Sequence, residues 1–366
     1  MRRAFILKIL GRASSAVLAC VALASCASLP RERFAACRGD IRPPAVTISD
    51  WRASTTLDVL TYNIEGLGWP ARSGRGPALR RIAAILADLR QKGRGPDIVL
   101  FQEVFSGAAV KSVARSGYPD LVTGPGRTQR GPKAADVTLP GRSRPRKGEL
   151  GIRLATSGLV IASRFPVIAT ASEPFSRASC AGFDCLANKG IVLARLAIPG
   201  VPDPIDILNT HMNSQGASGV APPRYLASHH AQVHELSRFM ERNSILGHPI
   251  ILGGDFNMRR SPSRFAVFRA AQPLDLVHQY CLDPANGCDV RMSWDGDEPW
   301  MDTQDLQLFA SGSRVAVAPI RVAAMFDGND GIPVLSDHDG FRVTYRLSWD
   351  RTVAGQGVCD RLPRPD

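Results

Sequence analysis

The 366-residue chain lacks several patterns that would assign a function at once. It contains no internal repeat. Its cysteines show no paired C-x-x-C spacing, so a zinc site is left without support. His230 and His234 are four residues apart on a predicted helix, but the H-E-x-x-H motif is absent, and these histidines with His229 are interpreted as solvent-facing. The apolar run over residues 17–24 is too short to span a membrane.

The composition is that of an ordinary globular protein. Hydrophobic residues make up 44% and charged residues 21% of the chain, which argues against global disorder. The length is sufficient for one large domain or two small ones with a full core. The formal net charge is +12, which indicates anionic partners such as nucleic acid, lipid headgroups or phosphoesters.

The first 25 residues have the layout of a secretory signal, with four basic residues, no acid and then the apolar run. Removing them lowers the formal charge from +12 to +8. Residues 23–26 resemble a bacterial lipoprotein box, which makes Cys26 the lipid-attachment residue. The alternative is an ordinary signal cleaved near Ala24. The lipoprotein interpretation predicts an exported protein that is anchored to the cell envelope without spanning it, and the absence of Asp after Cys26 favours the outer membrane.

Six cysteines remain after Cys20 and Cys26 are set aside. An even set in an exported protein predicts disulfides, for which 15 pairings exist in principle. The predicted pairs are Cys180–Cys185, Cys281–Cys288 and Cys37–Cys359.

Composition and apolar periodicity divide the chain into four parts: a signal over residues 1–25, a tether over 26–54, a folded domain over 55–350 and a tail over 351–366. Strand, helix and strand follow one another early in the domain, which predicts an α/β unit. Residues 157–162 and 167–170 are interpreted as a strand pair turned around Pro166. The predicted strands lie at 57–63, 96–104, 157–162, 167–170, 191–196, 205–211, 250–254, 301–309, 315–322 and 341–345, and the predicted helices at 79–89 and 224–243.

A long segment over residues 124–150 is rich in Gly, Pro, Arg and Lys and has no periodicity. It is either a disordered insertion or a basic lip that attracts an anionic surface or substrate.

Polar residues recur where predicted strands end or begin. Asp255 and Asn257 are two positions apart and therefore project to the same side. Together, on an alternating β/α chain, such residues indicate one cleft at a shared sheet edge. Carboxylates and amides without thiolates favour a hard cation, Mg²⁺ first and then Mn²⁺ or Ca²⁺. The recurring residues are Asn63, Glu103, His211, Asp255, Asn257, Asp337 and His338.

The chain resembles the endonuclease/exonuclease/phosphatase superfamily, because motifs of that family occur here in the family's order. The resemblance spans roughly residues 57–347 and implies a four-layer α/β sandwich with two central mixed β-sheets flanked by helices. The residues that carry it are Thr61-Tyr62-Asn63, Gln102-Glu103, the run from Ser157 to Pro166, Asn209-Thr210-His211, Gly254-Asp255-Phe256-Asn257 and Ser336-Asp337-His338.

The resemblance also implies roles for these residues. Glu103 and Asn63 bind the metal, and Asp337 assists. Asp255 orients or deprotonates the attacking water, while Asn257 and His211 stabilise the phosphoryl group. His338 acts as the acid–base partner and is held by an upstream Asp, for which Asp305 is chosen over Asp302.

The predicted activity is metal-dependent hydrolysis of a phosphodiester by a monomer. Lys189 before Gly190 favours a simple turn on these residues alone, but it resembles the Lys-Gly element of neutral sphingomyelinases, and the resemblance assigns it to the substrate phosphate. Trp294 and Trp300 are either membrane contacts or buried residues. A phospholipid substrate is placed ahead of DNA or RNA, even though no long hydrophobic hairpin is present. A non-catalytic surface lipoprotein is the third alternative.

Overall fold

The computed structural model describes residues 28–38, 43–132, 137–294, 296–329, 331–353 and 355. The predicted signal, Cys26 and most of the predicted tail lie outside these residues. The strands are β1 Arg33–Phe34, β2 Thr47–Ser49, β3 Arg52–Asn63, β4 Ile98–Gln102, β5 Asp120–Thr123, β6 Val160–Ser163, β7 Val167–Pro174, β8 Gly190–Leu196, β9 Ile205–His211, β10 Ile250–Asp255, β11 Asp275–Leu276, β12 Asp289–Arg291, β13 Asp305–Ala310, β14 Ala316–Met325 and β15 Gly340–Asp350. The helices are α1 Gly76–Gln91, α2 Gly107–Ala114, α3 Pro222–Asn243, α4 Pro262–Ala271 and α5 Val277–Leu282.

Two mixed sheets form the centre of the molecule. The larger has the order β1-β5-β6-β4-β3-β15-β14-β12, with β2 beside β3, and the smaller has the order β11-β13-β10-β9-β8-β7. Within them β3 pairs with β4 and β9 with β10 in parallel, whereas β3 with β15 and β10 with β13 are antiparallel. The predicted α/β class with two central mixed sheets is confirmed.

Three apolar layers hold the sandwich together. Leu57 and Val59 on β3 and Ile251 on β10 pack between the two sheets. Leu60 on β3 faces outwards, towards α1 and α2, and Leu252 on β10 faces outwards, towards α3 and α4. Because successive side chains of a strand point to opposite faces, each central strand serves two cores. The result is the helix–sheet–sheet–helix layering that the resemblance implied.

Polar side chains also bridge the two sheets. Gln102 Nε2 donates to Asn209 Oδ1 at 2.7 Å, and Gln307 Nε2 donates to Val59 O at 3.1 Å, while Tyr345 donates its hydroxyl to Gln307 Oε1 at 2.9 Å. Buried amides must be paired, so these bonds set the lateral position of one sheet against the other.

Glycine permits the close approach of strands β9 and β10 next to the strand ends that carry His211 and Asp255. Gly254 has φ +155°, and a Cβ there would lie 2.1 Å from Thr210 O of the neighbouring strand. A side chain at this position is therefore excluded by backbone rather than by a movable group.

Two predictions about chain path are wrong. Strands β6 and β7 do not pair around Pro166: β6 pairs with β4 and β5 in the larger sheet, and β7 pairs with β8 in the smaller. The turn instead carries the chain from one sheet to the other. Apolar runs on either side of a proline look the same in both arrangements.

The prediction of a tether is also wrong for the part of residues 26–54 that the structure describes. β1 pairs with β5, and the amides of Ala35 and Ala36 donate to Asp120 Oδ1 at 2.7 and 2.6 Å. β2 pairs with the start of β3. Such edge strands are held by backbone hydrogen bonds, which leave no periodic side-chain pattern.

Two of the predicted disulfides are confirmed, Cys180–Cys185 and Cys281–Cys288. The pairing of Cys37 with Cys359 stays a prediction, because Cys359 lies outside the described residues. None of the described helices has the length and apolarity needed to cross a bilayer.

Candidate active site

The parallel strands of the two sheets deliver three predicted residues to one edge of the sandwich. Asn63 ends β3, His211 ends β9 and Asp255 ends β10, and Asp255 lies directly opposite both His211 and Asp305 in the strand register. Asn63 Nδ2 donates to Asp255 Oδ2 at 3.0 Å, and His211 Nε2 lies 3.2 Å from the same oxygen. The larger sheet therefore contributes an amide and the smaller sheet an acid and an imidazole to one cluster.

Asn257 belongs to the same cluster. Its backbone amide donates to Asp255 Oδ1 at 3.0 Å, and its side chain donates to Met212 O at 3.1 Å. It adopts a left-handed φ of +54°. Non-glycine residues rarely adopt this region, and where they do the backbone is often constrained for function.

His338 and Asp305 form a pair across from Asp255. His338 Nδ1 and Asp305 Oδ2 are 2.5 Å apart, and Gln304 Nε2 lies 3.3 Å from His338 Nε2. The alternative partner, Asp302, is half-exposed and pairs with Arg260 at 3.3 Å. The structure thus places Asp305, not Asp302, against the ring.

Burial and neighbouring charges separate the protonation states of these groups. Burial raises the pKa of Asp255 to about 7, against the opposing charge of His338. Burial disfavours protonated His338, but the charge and hydrogen bond of Asp305, with the charges of Asp255 and Asp337, raise its pKa to about 11. Burial and then the charge of Lys189 lower the pKa of His211 well below its usual value. The site therefore holds an acid that ionises near neutrality, a cationic imidazole and a neutral imidazole.

Lys189 lies behind His211. Its Nζ is 2.9 Å from His211 Nε2, donates to Met212 O at 3.1 Å and forms an ion pair with Asp184. Only 8% of Lys189 is exposed. The lysine is thus part of the cluster, and its ammonium is neutralised by a carboxylate of the same loop.

Glu103 and Asn63, the two predicted metal ligands, lie beside each other at the edge of the cluster. Glu103 follows β4 with φ +60°. Burial raises the pKa of Glu103, against the charge of Lys189 and a hydrogen bond from the Asn63 side chain. Asp337 is half-exposed at the mouth of the cleft, with Oδ2 3.4 Å from Arg72 Nη2. The described residues contain no group of three or more His, Cys, Asp or Glu side chains arranged to hold a metal. One carboxylate with one amide fits Mg²⁺, which commonly keeps several waters and takes one or two protein carboxylates.

The prediction that His229, His230 and His234 face solvent is wrong for His229. This residue is fully buried on α3, and its Nε2 lies 2.9 Å from Phe256 O, in the segment between Asp255 and Asn257. His230 is half-buried and His234 exposed. Because the first turns of α3 pack against the active-site loop, their inner face carries polar residues that an apolar pattern does not reveal.

Arg264 was not identified from the sequence. It is fully buried in α4, and its guanidinium donates to the carbonyls of Asn213 and Asn257 at 2.7 and 2.8 Å and to those of Ser214 and Tyr225 at 3.1 and 3.2 Å. One side chain therefore ties the loop after β9 to the loop after β10. Its position four residues after Arg260 in a polar stretch resembles any exposed helix arginine, so no sequence signal marks it.

We expect Arg264→Met to destabilise the protein by about 3 kcal/mol, because several buried carbonyls lose a charged donor. The rate should fall as well, since Asn257 loses its support. Denaturant unfolding and kcat measure the two effects. Arg269→Met is the matched control, because Arg269 is an exposed residue of the same helix that donates to one carbonyl, Leu274 O. Equal effects of the two substitutions would contradict the assignment.

Of the two tryptophans flanking the acidic turn, Trp300 is buried and Trp294 is half-buried against the core. Trp300 is 8% exposed, with its ring 6.0 Å from that of Phe265, and Trp294 packs against the core beside His278.

Residues 60–360 match the Endonuclease/Exonuclease/phosphatase family, and the chain belongs to that family. A 93-residue stretch is 29% identical to sphingomyelinases of Mycobacterium bovis and Mycobacterium tuberculosis, and it covers 25% of this chain and 17% of those proteins. The matched stretch is thus less than a fifth of these relatives' length.

Solved structures share the fold over most of the chain. Sphingomyelinase C from Streptomyces griseocarneus has a TM-score of 0.56 and 21% identity, over 79% of this chain and 99% of that one. A Staphylococcus aureus beta toxin variant with bound magnesium ions has a TM-score of 0.54 and 16% identity, over 79% and 99%. TDP2 from D. rerio, complexed with a single-strand DNA product, has a TM-score of 0.51 and 15% identity, over 79% and 98%.

Proposed function

We propose that the chain is a divalent-metal-dependent phosphodiesterase that uses an activated water, with Mg²⁺ as the preferred ion and sphingomyelin-type phospholipid as the substrate. The observation that carries the proposal is the convergence of Asp255, Asn63 and His211 opposite the His338–Asp305 pair. The identity to sphingomyelinases supports the choice of phospholipid. The predicted anchoring through Cys26 to the outer membrane and the monomeric state are part of the same proposal.

Each residue has a task that its surroundings permit. Asp255, whose pKa is near 7, takes the proton of the attacking water. Asn257 and His211 stabilise the negative charge that builds on the phosphoryl oxygens. His338, held protonated by Asp305, gives a proton to the leaving oxygen. After product release Asp255 gives up the proton that it took from the water and His338 regains one, so that both groups return to their starting states. Lys189 keeps His211 in place.

Glu103 and Asn63, assisted by Asp337, would hold the divalent ion. When bound, Mg²⁺ neutralises phosphate charge and lowers the pKa of a bound water. The same oxygen donors also suit Mn²⁺. Ca²⁺ usually takes six to eight oxygen ligands, more than these residues supply.

A nucleic-acid phosphodiester is the second candidate. The exposed arginines and lysine of the 124–150 loop favour it, because phosphate backbones bind to such cations. The third candidate, a surface lipoprotein without activity, is an outcome of the test below.

Purified protein should hydrolyse bis(p-nitrophenyl) phosphate with Mg²⁺ and lose that activity in EDTA. Labelled sphingomyelin and plasmid DNA, supplied in parallel, distinguish the two substrate classes. Faster turnover of the DNA would overturn the lipid assignment and leave the phosphodiesterase assignment standing. Failure on every phosphoester, with Mg²⁺ or Mn²⁺ present, would favour the non-catalytic lipoprotein.

A further inference from the structure

The loop between β5 and β6 presents a one-sided charge to solvent. Six of its cationic residues are exposed, and we call them the cationic rim. Among the described residues of the loop the acid is Glu149, and it is neutralised by Arg224 at 2.8 Å. The cationic rim consists of Arg127, Arg130, Arg142, Arg144, Arg146 and Lys147.

Exposed apolar side chains lie beside these cations. Leu150 is 50% exposed, Ile152 53% and Phe183, on the neighbouring disulfide-closed loop, 45%. We call these three residues the apolar tip. The two loops contact each other, because Lys147 Nζ lies 5.5 Å from the centre of the Phe183 ring and Glu149 Oε1 accepts from the Gly182 amide at 2.9 Å. Cations and apolar groups therefore share one surface.

This surface adjoins the catalytic cleft. Asn188 Nδ2 donates to Gly126 O at 2.7 Å and to Gln129 O at 2.9 Å, which fixes the first part of the loop next to Lys189. Lys189 in turn contacts His211. A surface that binds the rim is thus brought next to the cluster that contains Lys189 and His211.

The first described residue emerges at the same place. Ser28 and Leu29 line one cavity with Gly126 and Arg127. Cys26 precedes Ser28 by two residues, and two residues of extended chain reach at most roughly 7 Å. A lipid on Cys26 would therefore enter a membrane beside the rim.

A second exposed apolar surface lies at the opposite end of the sandwich. It contains Ile48 and Trp51, which are 64% and 60% exposed, next to Arg52 at the start of β3. β3 is 12 residues long, so this end is roughly 36 Å from Asn63. Asp50 and Asp350 accompany it, which makes it less suited than the rim to an anionic partner.

We propose that the cationic rim and the apolar tip dock on an anionic phospholipid bilayer, so that the cleft faces the membrane to which Cys26 is anchored. The proposal rests on the proposed function for the choice of phospholipid and deepens it to substrate in the protein's own membrane. Cations next to exposed apolar side chains match the boundary between headgroups and acyl chains. A nucleic acid would use the cations and leave the apolar tip unpartnered.

The test measures binding separately from hydrolysis. The Cys26→Ser chain, which cannot carry the lipid, is sedimented in EDTA with vesicles of phosphatidylglycerol and phosphatidylcholine in equal parts. The triple substitution R142S/R144S/R146S should weaken binding about 100-fold, because each cation near an anionic surface contributes about fivefold. Leu150→Ser with Ile152→Ser should weaken it about tenfold. Vesicles of phosphatidylcholine alone give the background for each chain.

The matched controls are R52S/R346S/R351S, which removes the same charge from exposed arginines of the opposite end, and I48S/W51S, which removes apolar groups there. Both should bind the anionic vesicles as the parent does. Weaker binding by these controls than by the rim variants would overturn the proposal, as would unchanged binding by the rim triple variant. Loss of plasmid binding by the rim triple variant, with vesicle binding retained, would overturn it in favour of nucleic acid.

Hydrolysis separates this proposal from the proposed function. The rim triple variant should cleave bis(p-nitrophenyl) phosphate at the parent rate and cleave sphingomyelin in anionic vesicles at least tenfold more slowly. A parent protein that cleaves neither substrate contradicts the proposed function, whereas the vesicle-binding result still decides whether the surface docks. Equal rates of the variant and the parent on vesicles contradict the docking surface alone.

Discussion

Asp255→Asn is expected to lower kcat for a soluble phosphodiester by about 10³-fold, within the range that general-base catalysis contributes. The substitution removes the group that accepts the water proton while keeping the side chain's shape and an oxygen for the Asn257 amide, which donates to Oδ1 at 3.0 Å. Initial rates under saturating substrate, with Mg²⁺ present, measure the effect.

The same variant should unfold at a temperature close to that of the parent, because the relief of a buried charge offsets the hydrogen bond from Asn63 Nδ2 that the new amide nitrogen cannot accept. Burial raises the pKa of Asp255 to about 7, so its ionised form is costly in the folded state and a neutral amide removes that cost. Asp203→Asn is the matched control, since Asp203 is a buried acid that pairs with Arg314 away from the cleft. It should lose stability and keep its turnover. An Asp255→Asn protein that retained kcat within tenfold would exclude Asp255 as the base.

Asp305→Asn should lower the rate about 10²-fold at pH 7 and more at higher pH. Asp305 supplies the charge and the hydrogen bond that, against burial, raise the pKa of His338 to about 11. Without that carboxylate the pKa falls towards the ordinary value of about 6.5. A histidine is protonated below its pKa, so the parent keeps its acid throughout the neutral range, and the variant loses it as the pH rises through the lowered value.

The pH–rate profile and the imidazole titration by NMR measure this shift. Asp302→Asn is the control, because Asp302 is the nearest alternative acid in the sequence and pairs with Arg260 instead. Its profile should match that of the parent. An unchanged alkaline limb in Asp305→Asn, or a shifted one in Asp302→Asn, would contradict the pairing.

Much of the fold was predictable because local patterns carry it. Helix α1 buries Leu79, Ile82 and Leu86 at helical spacing, and β9 covers the same residues, 205–211, that the sequence predicted. The pairing of strands and the sheet that each strand joins were harder to predict. The turn at Pro166 transfers the chain between sheets, and the segment before β3 forms edge strands, because both depend on backbone pairing with partners distant in sequence.

The candidate site divides in the same way. Asn63, His211, Asp255 and His338 were identified because polar residues that interrupt apolar strands are visible in one dimension. His229 and Arg264 were not, since each acts through carbonyl groups of loops that only packing brings within reach. The state of Lys189 also escaped prediction, because its ion pair with Asp184 depends on how the disulfide-closed loop folds back.

The amino-acid sequence by itself determined the alternation of strands and helices, the two confirmed disulfides and the set of polar residues at the strand ends. Side-chain periodicity and residue chemistry are local properties, so they can be read without coordinates. Only the tertiary structure decided which sheet each strand joins and which acid holds His338, and only burial in it raises the pKa of Asp255 to about 7. Burial and proximity produce those outcomes, and both arise from contacts between residues that the chain order keeps far apart.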